Sequence, residues 1–81
     1  MLNNKRYKFF HLQKEQNYLK KLVEKNPKFL PLYNEFVKLS TKEEFIEFSK
    51  KYNLSDISNI DDLNEIKEIL AYDLNEIILK A

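Results

Sequence analysis

Chemistry in this chain of 81 residues would have to start from one histidine, four serines and a large stock of carboxylates. His11 is the only imidazole, so a histidine-based metal site would need carboxylates from distant segments. An ordinary structural or surface histidine is the simpler reading. Ser40, Ser49, Ser55 and Ser58 lack a histidine or lysine in a recognisable activating arrangement. Ser40 and Ser58 stand where helix caps stand. Glu43, Glu44, Glu47, Asp61, Asp62, Glu65 and Glu68 fall mostly on expected solvent faces. General acids need burial or a close partner to shift their pKa, and such faces supply neither.

Two absences narrow the chemistry further. The chain has no cysteine, which removes disulfides, thiolate nucleophiles and Cys-ligated metals. It has no glycine, which removes the P-loop and the dinucleotide fingerprint. Residues 56–62 lack the ligand spacing and the glycine of a calcium loop. The expectation is a protein that is not an enzyme, with no catalytic residue, metal ligand or cofactor site.

The elements that carry these residues are helical. Eighty-one residues make one domain with one modest core, and residues 1–6 read as a flexible basic end to it. Hydrophobic residues at 43% against charged residues at 33% exclude both a disordered and a membrane class. No apolar run nears the roughly 18 residues of a membrane span. The basic start is followed by Gln13, Lys14, Glu15 and Gln16, not by the apolar stretch of a secretory signal, so a cytoplasmic protein is expected.

Helical periodicity predicts a first helix over Tyr7 to Lys25, with Tyr7, Leu12, Tyr18, Leu19, Leu22 and Val23 on one arc. Asn26-Pro27 ends it. Pro27 to Leu30 reads as a tight turn and Pro31 to Leu39 as a short helix with Phe29, Leu32, Phe36 and Leu39 on its seam. Thr41-Lys42-Glu43-Glu44 has the form of a capping box, opening a third helix to about Tyr52 that buries Phe45 and Phe48. Glu47 and Lys51 are placed to pair outside it. With no glycine available, Asn53 is the candidate for a left-handed residue at its end.

A fourth helix is expected over Ile60 to Lys80, capped by Ser58 or Asn59. Its stripe is Ile60, Leu63, Ile66, Leu70, Ala71 and Leu74, continued by Ile77 and Ile78. The fold class is therefore all-α, a small array or bundle of about four helices.

Charge is distributed unevenly. Residues 1–28 hold eight Lys or Arg against two Glu, a net +6, while residues 29–81 carry a net −5. The basic third offers a candidate surface of Lys5, Arg6, Lys8, Phe10, Lys14 and Lys21, which would suit nucleic acid or the acidic last helix of this or another copy. On the outer face of that helix, Glu65, Glu68, Asp73 and Glu76 stand with Ile69 and Tyr72. Like-charge neighbours such as Asp61 with Glu65 and Asp73 with Glu76 would be relieved by a basic partner protein.

The stretch from Tyr18 to Leu63 resembles the Nif11-like helical domain, found as leader regions of ribosomally made peptide natural products. The resemblance rests on Leu19 and Leu22 before Asn26-Pro27, Leu32 and Phe36 after them, then Thr41-Lys42-Glu43-Glu44-Phe45-Ile46, Ser49, Tyr52 and Asp61-Asp62-Leu63. It implies a domain bound by other proteins, without activity of its own. The chain departs from the family pattern in having Asn53 where glycine is usual, and no Gly-Gly cleavage site or core peptide follows Leu79. These readings converge on a non-enzymatic protein-binding module, such as an adaptor, a recognition domain or a small inhibitor. Nucleic-acid binding is the alternative, and a homodimer is a further partner arrangement.

Overall fold

Several helix ends are closed by a residue whose chemistry suits the position. The computed structural model describes residues 13–81, which form α1 (Lys14–Lys25), α2 (Leu30–Val37), α3 (Lys42–Lys51) and α4 (Leu63–Lys80), with a single 3₁₀ turn over Pro27–Phe29. No strand occurs among the described residues. The expected first half of the first helix, with Tyr7, Phe10, His11 and Leu12, lies outside the described residues, as does the basic end over residues 1–6.

Asn26 stops α1 with both its backbone and its side chain. Its N–H donates to the Leu22 and Val23 carbonyls, and its Nδ2 donates to Leu22 O at 2.8 Å. Pro27 and Pro31 then sit in the first turns of the 3₁₀ segment and of α2, where their missing N–H groups have no helical partner to lose. Helix α2 is thus one residue earlier at its start and two residues shorter at its end than the sequence pattern predicts.

The capping box at α3 is formed as expected. Thr41 Oγ1 accepts from Glu44 N–H at 3.2 Å, and Glu44 Oε1 accepts from the N–H groups of Thr41 and Ser40 at 3.1 and 2.8 Å. At the other end Asn53 takes φ 56°. Asn53 N–H donates to Lys50 O and Leu54 N–H to Ser49 O at 2.7 Å, the paired bonds of a Schellman ending.

Helix α4 begins at Leu63 and not at Ile60, and its cap is Asp62, which accepts from Asn64 N–H at 2.9 Å. The reason lies in the connector. Asp56 takes the Ser58 N–H at 3.0 Å, Ile57 is buried as an anchor, and Ile60 N–H closes a turn onto Ile57 O. Neither Ser58 nor Asn59 caps the helix, and Asp61 is held outside it by Lys42 Nζ at 2.9 Å.

The core is one cluster to which all four helices and the connector residue Ile57 contribute. Leu19, Leu22 and Val23 of α1 pack on the stripe of α4, where Ile66, Leu70, Ala71, Leu74 and Ile78 are all buried. This is the most extensive helix pair in the structure. Phe36 of α2 meets Phe45 and Phe48 of α3 with ring centroids 6.4 and 5.8 Å apart, within the favourable range for tilted aromatic pairs.

Three residues of the expected stripes are partly exposed: Tyr18, Leu63 and Ile77. Tyr18 lies about 100° round α1 from Leu19, at the margin of the buried arc. Leu63 is the first residue of α4. Ile77 lies about 160° from Asn75, the residue that faces α1 near that end of the helix, so it points away from α1. The expected Glu47–Lys51 pair is not formed. Lys51 Nζ instead reaches Glu35 Oε2 on α2 at 3.0 Å.

Candidate functional site

The surface shared by α1 and α4 is built on a polar seam. Gln13, at the start of α1, supplies no side-chain cap. The missing acceptor comes from α4: Glu68 Oε2 accepts from the Glu15 N–H, and Glu68 Oε1 from Gln16 Nε2 at 3.2 Å. A carboxylate at a helix N-terminus is favoured by the exposed N–H groups and by the helix dipole. Alongside it, Asn75 is only 2% exposed. Its Nδ2 donates to Glu15 O at 3.1 Å and to Glu15 Oε1 at 3.0 Å, and its Oδ1 is buried without a hydrogen-bond partner.

Beside this seam runs a groove of about 310 Å³, lined by Lys14, Glu15 and Tyr18 on α1 and by Tyr72, Asn75, Glu76 and Leu79 on α4. Three large apolar side chains border it while remaining substantially exposed: Tyr18 at 43%, Tyr72 at 50% and Leu79 at 56%. Lys14, Glu15 and Glu76 supply its charged lining.

The six acidic-face residues expected to form one surface are divided among three settings. Glu65, Tyr72 and Glu76 lie on the outward side, and Ile69 is half-buried at its edge against the core. Glu68 is turned to α1. Asp73 is turned to the connector, where its Oδ2 accepts from Ser55 N–H at 2.9 Å. The expected like-charge strain is relieved within the chain, by Lys42 for Asp61, Ser55 N–H for Asp73 and Lys80 for Glu76 at 3.8 Å. Of the candidate basic surface, Lys14 and Lys21 are exposed on α1. Lys5, Arg6, Lys8 and Phe10 lie outside the described residues.

Asn75, Leu79 and the exposure of Tyr18 were not evident from residue type. Asn75 did carry a signal, since it stands four residues after Ala71 and three before Ile78, both buried. Leu79 stands seven residues after Tyr72, which puts the two on one side of α4.

A second cluster joins α2 to α3. Tyr52 Oη donates to Glu35 Oε1 at 2.6 Å, Lys51 binds the other carboxylate oxygen, and the Lys51 ammonium lies 5.2 Å from the Tyr52 ring centroid. The Tyr52 and Lys51 hydrogen bonds hold the Glu35 carboxyl below its ordinary range, and the same carboxylate pushes Tyr52 and Lys51 up. All three groups are solvent-accessible and satisfied by one another, an arrangement suited to tying two helices together. Among the described residues, no group of three or more His, Cys, Asp or Glu is placed to hold a metal ion, and no helix is long and apolar enough to cross a membrane.

No protein-family model, curated protein or solved structure matches the chain.

Proposed function

We propose that this chain is a non-catalytic helical module that binds another protein through the outward face of α4, as an adaptor, recognition domain or small inhibitor. The observation that carries this reading is Tyr72. Its ring is half exposed in the middle of a surface helix, with Ile69 half-buried beside it and Glu65 and Glu76 on the same side. Aromatic side chains with one face on the protein and one free are frequent anchors of interfaces. Carboxylates around such an anchor select a basic partner more than they strengthen binding. The resemblance to Nif11-like leader regions, which other proteins bind, agrees with this reading.

The test is affinity capture from cells of the native host, read by quantitative mass spectrometry. Wild type is compared with Tyr72→Ala, with Glu65→Lys/Glu76→Lys and, as a control on α3, with Glu47→Lys. Glu68 and Asp73 are left intact because they hold the fold. A protein retained by wild type and control, and reduced about tenfold in both α4 variants, supports the reading. Equal recovery by all four chains removes this face from consideration.

Nucleic-acid binding is the second reading. It is favoured by the exposure of Lys14, Lys20, Lys21 and Lys25, none of which stands in an ion pair among the described residues. A gel-shift titration with single-stranded RNA and duplex DNA at two salt concentrations tests it, and the absence of any salt-dependent shift ends it.

A further inference from the structure

The groove between α1 and α4 lies where the chain enters α1, since Lys14 and Glu15, the first two residues of that helix, are part of its lining. In a helix running on from Tyr7, the Glu15 N–H would serve the carbonyl of residue 11. Glu68 takes that N–H instead, and Gln13 stands at the helix start with φ −99° and ψ 2°. The chain can therefore change direction at Gln13, which tethers the twelve residues before it directly beside the groove.

Those residues match the groove in chemistry. They carry Lys5, Arg6 and Lys8 and no carboxylate, with Tyr7, Phe9, Phe10 and Leu12 among them. The groove offers two glutamates, Glu15 and Glu76, against one lysine, Lys14, together with the exposed apolar surfaces of Tyr18, Tyr72 and Leu79. Length fits as well. Tyr72 and Leu79 are about 10 Å apart along α4, while Tyr7 to Leu12 span about 9 Å as a helix and at most about 20 Å when extended. A groove of this size falls short of the area that holds two separate proteins together. A tethered segment needs less, because its attachment raises its effective concentration to about the millimolar range.

We propose that the occupant of the groove is the chain's own segment from Lys5 to Leu12, its aromatic residues on Tyr18, Tyr72 and Leu79 and its cations toward Glu15 and Glu76. The proposal rests on the reading of the α4 face as a binding surface and adds a regulation to it. A partner protein has to displace the segment in order to reach Tyr72.

The chain has no cysteine, so Asn4→Cys gives one attachment point for a nitroxide spin label. In the full chain labelled there, the NMR amide signals of Tyr72, Glu76 and Leu79 should be lost, and they should return when the label is reduced. Adding Phe9→Ser/Phe10→Ser to the labelled chain should restore them, and adding Tyr72→Ala should restore those of Glu76 and Leu79. Circular dichroism verifies that each variant is folded. Where the serine pair does not fold, Lys5→Glu/Lys8→Glu breaks the same contact through charge alone. A mixture of spin-labelled chain and isotope-labelled chain without the nitroxide should show no loss, because the contact is within one chain.

Signals on α4 that keep their intensity overturn the proposal. So does a loss that persists in the segment variants, since tethering alone then accounts for it. A loss that appears in the mixture overturns it too and assigns the groove to a second copy. The capture comparison with Tyr72→Ala reads the α4 face independently. A protein lost with Tyr72→Ala, but no effect of the spin label, defeats the segment alone. An effect of the spin label, with no protein captured, supports the segment and defeats the reading of the face.

Discussion

The Glu15 N–H at the start of α1 donates to the carboxylate of Glu68, a residue 53 positions later in the chain. The first turn of α1 is thus completed by α4 and not by its own N-cap residue. Local order at one end of the protein therefore depends on the register of the last helix. It also explains why a carboxylate that reads as part of an outer acidic face is held against α1.

Replacing Glu68 by Ala removes the acceptor and the charge together. The expected loss is about 1–2 kcal/mol, the range for helix caps and charge-assisted hydrogen bonds. Urea unfolding measures the total, and amide exchange at residues 14–17 should show the largest loss of protection. If exchange there matches wild type, α1 does not depend on this contact.

Thr41→Ala breaks the capping box from one side and should lower stability by about 1 kcal/mol, a fall in Tm of about 4–8 °C for a domain of this size. Glu44 is held below its ordinary value of 4.5, first by the Ser40 N–H and then by the Thr41 N–H. Glu35 is lowered in the same sense, first by Tyr52 and then by Lys51. A carboxyl lowered on folding stabilises fully above its unfolded pKa, and that contribution disappears as pH falls through the folded one. Thermal melts between pH 6 and pH 2 should therefore decline below about pH 4.5, less steeply in Glu44→Gln. An identical acid limb in wild type and Glu44→Gln would mean the box does not couple to the proton.

The alkaline side depends on Tyr52. Its pKa is raised, first by its hydrogen bond to Glu35 and then by desolvation, and Lys51 is raised by the same carboxylate. A group raised on folding stabilises fully below its unfolded pKa and ceases to do so as pH rises through the folded one. Stability should fall above about pH 10, and Tyr52→Phe should flatten that fall while lowering stability at pH 7. The difference between the phenolate absorbance titrations of wild type and Tyr52→Phe isolates Tyr52 from the other four tyrosines: a midpoint at or below that of free tyrosine contradicts the contact.

Local patterns were legible in the sequence, and long-range polar contacts were not. The capping box needs only Thr41 and Glu44, three residues apart, and the aliphatic stripe of α4 repeats on one face, so both can be read from spacing. The left-handed role of Asn53 followed from the lack of glycine. Glu68, Asn75 and Glu35 differ, because their partners lie 53, 60 and 17 residues away. A glutamate on a helix flank has the same sequence signature whether it meets water or a neighbouring N–H. The start of α4 differs from the expected Ile60 for a related reason: several residues from Ser58 to Asp62 can cap, and the burial of Ile57 selects among them.

Asn53→Gly should change stability by no more than a few tenths of a kcal/mol, since glycine adopts φ 56° without strain but has more freedom to lose on folding. Asn53→Val should cost about 1–2 kcal/mol, because a β-branched residue is strained there. Equal melting temperatures for the two variants would contradict a left-handed residue 53.

Asn75 gives the most demanding test, because its two ends have opposite status. Its Nδ2 satisfies Glu15 twice, while its Oδ1 is buried without a partner. Asn75→Ala removes both ends, leaves a small void and deletes both hydrogen bonds to Glu15, so a loss of about 1–3 kcal/mol is expected. Asn75→Leu also loses both hydrogen bonds to Glu15, but it fills the volume and deletes the unpaired oxygen, so it should be less destabilising than alanine. A double-mutant cycle of Asn75→Ala with Glu15→Ala isolates the side-chain contact and should give a coupling of at least about 0.5 kcal/mol. Zero coupling, with leucine as damaging as alanine, would show that Asn75 serves only as volume and that the polar seam does not fix α1 on α4.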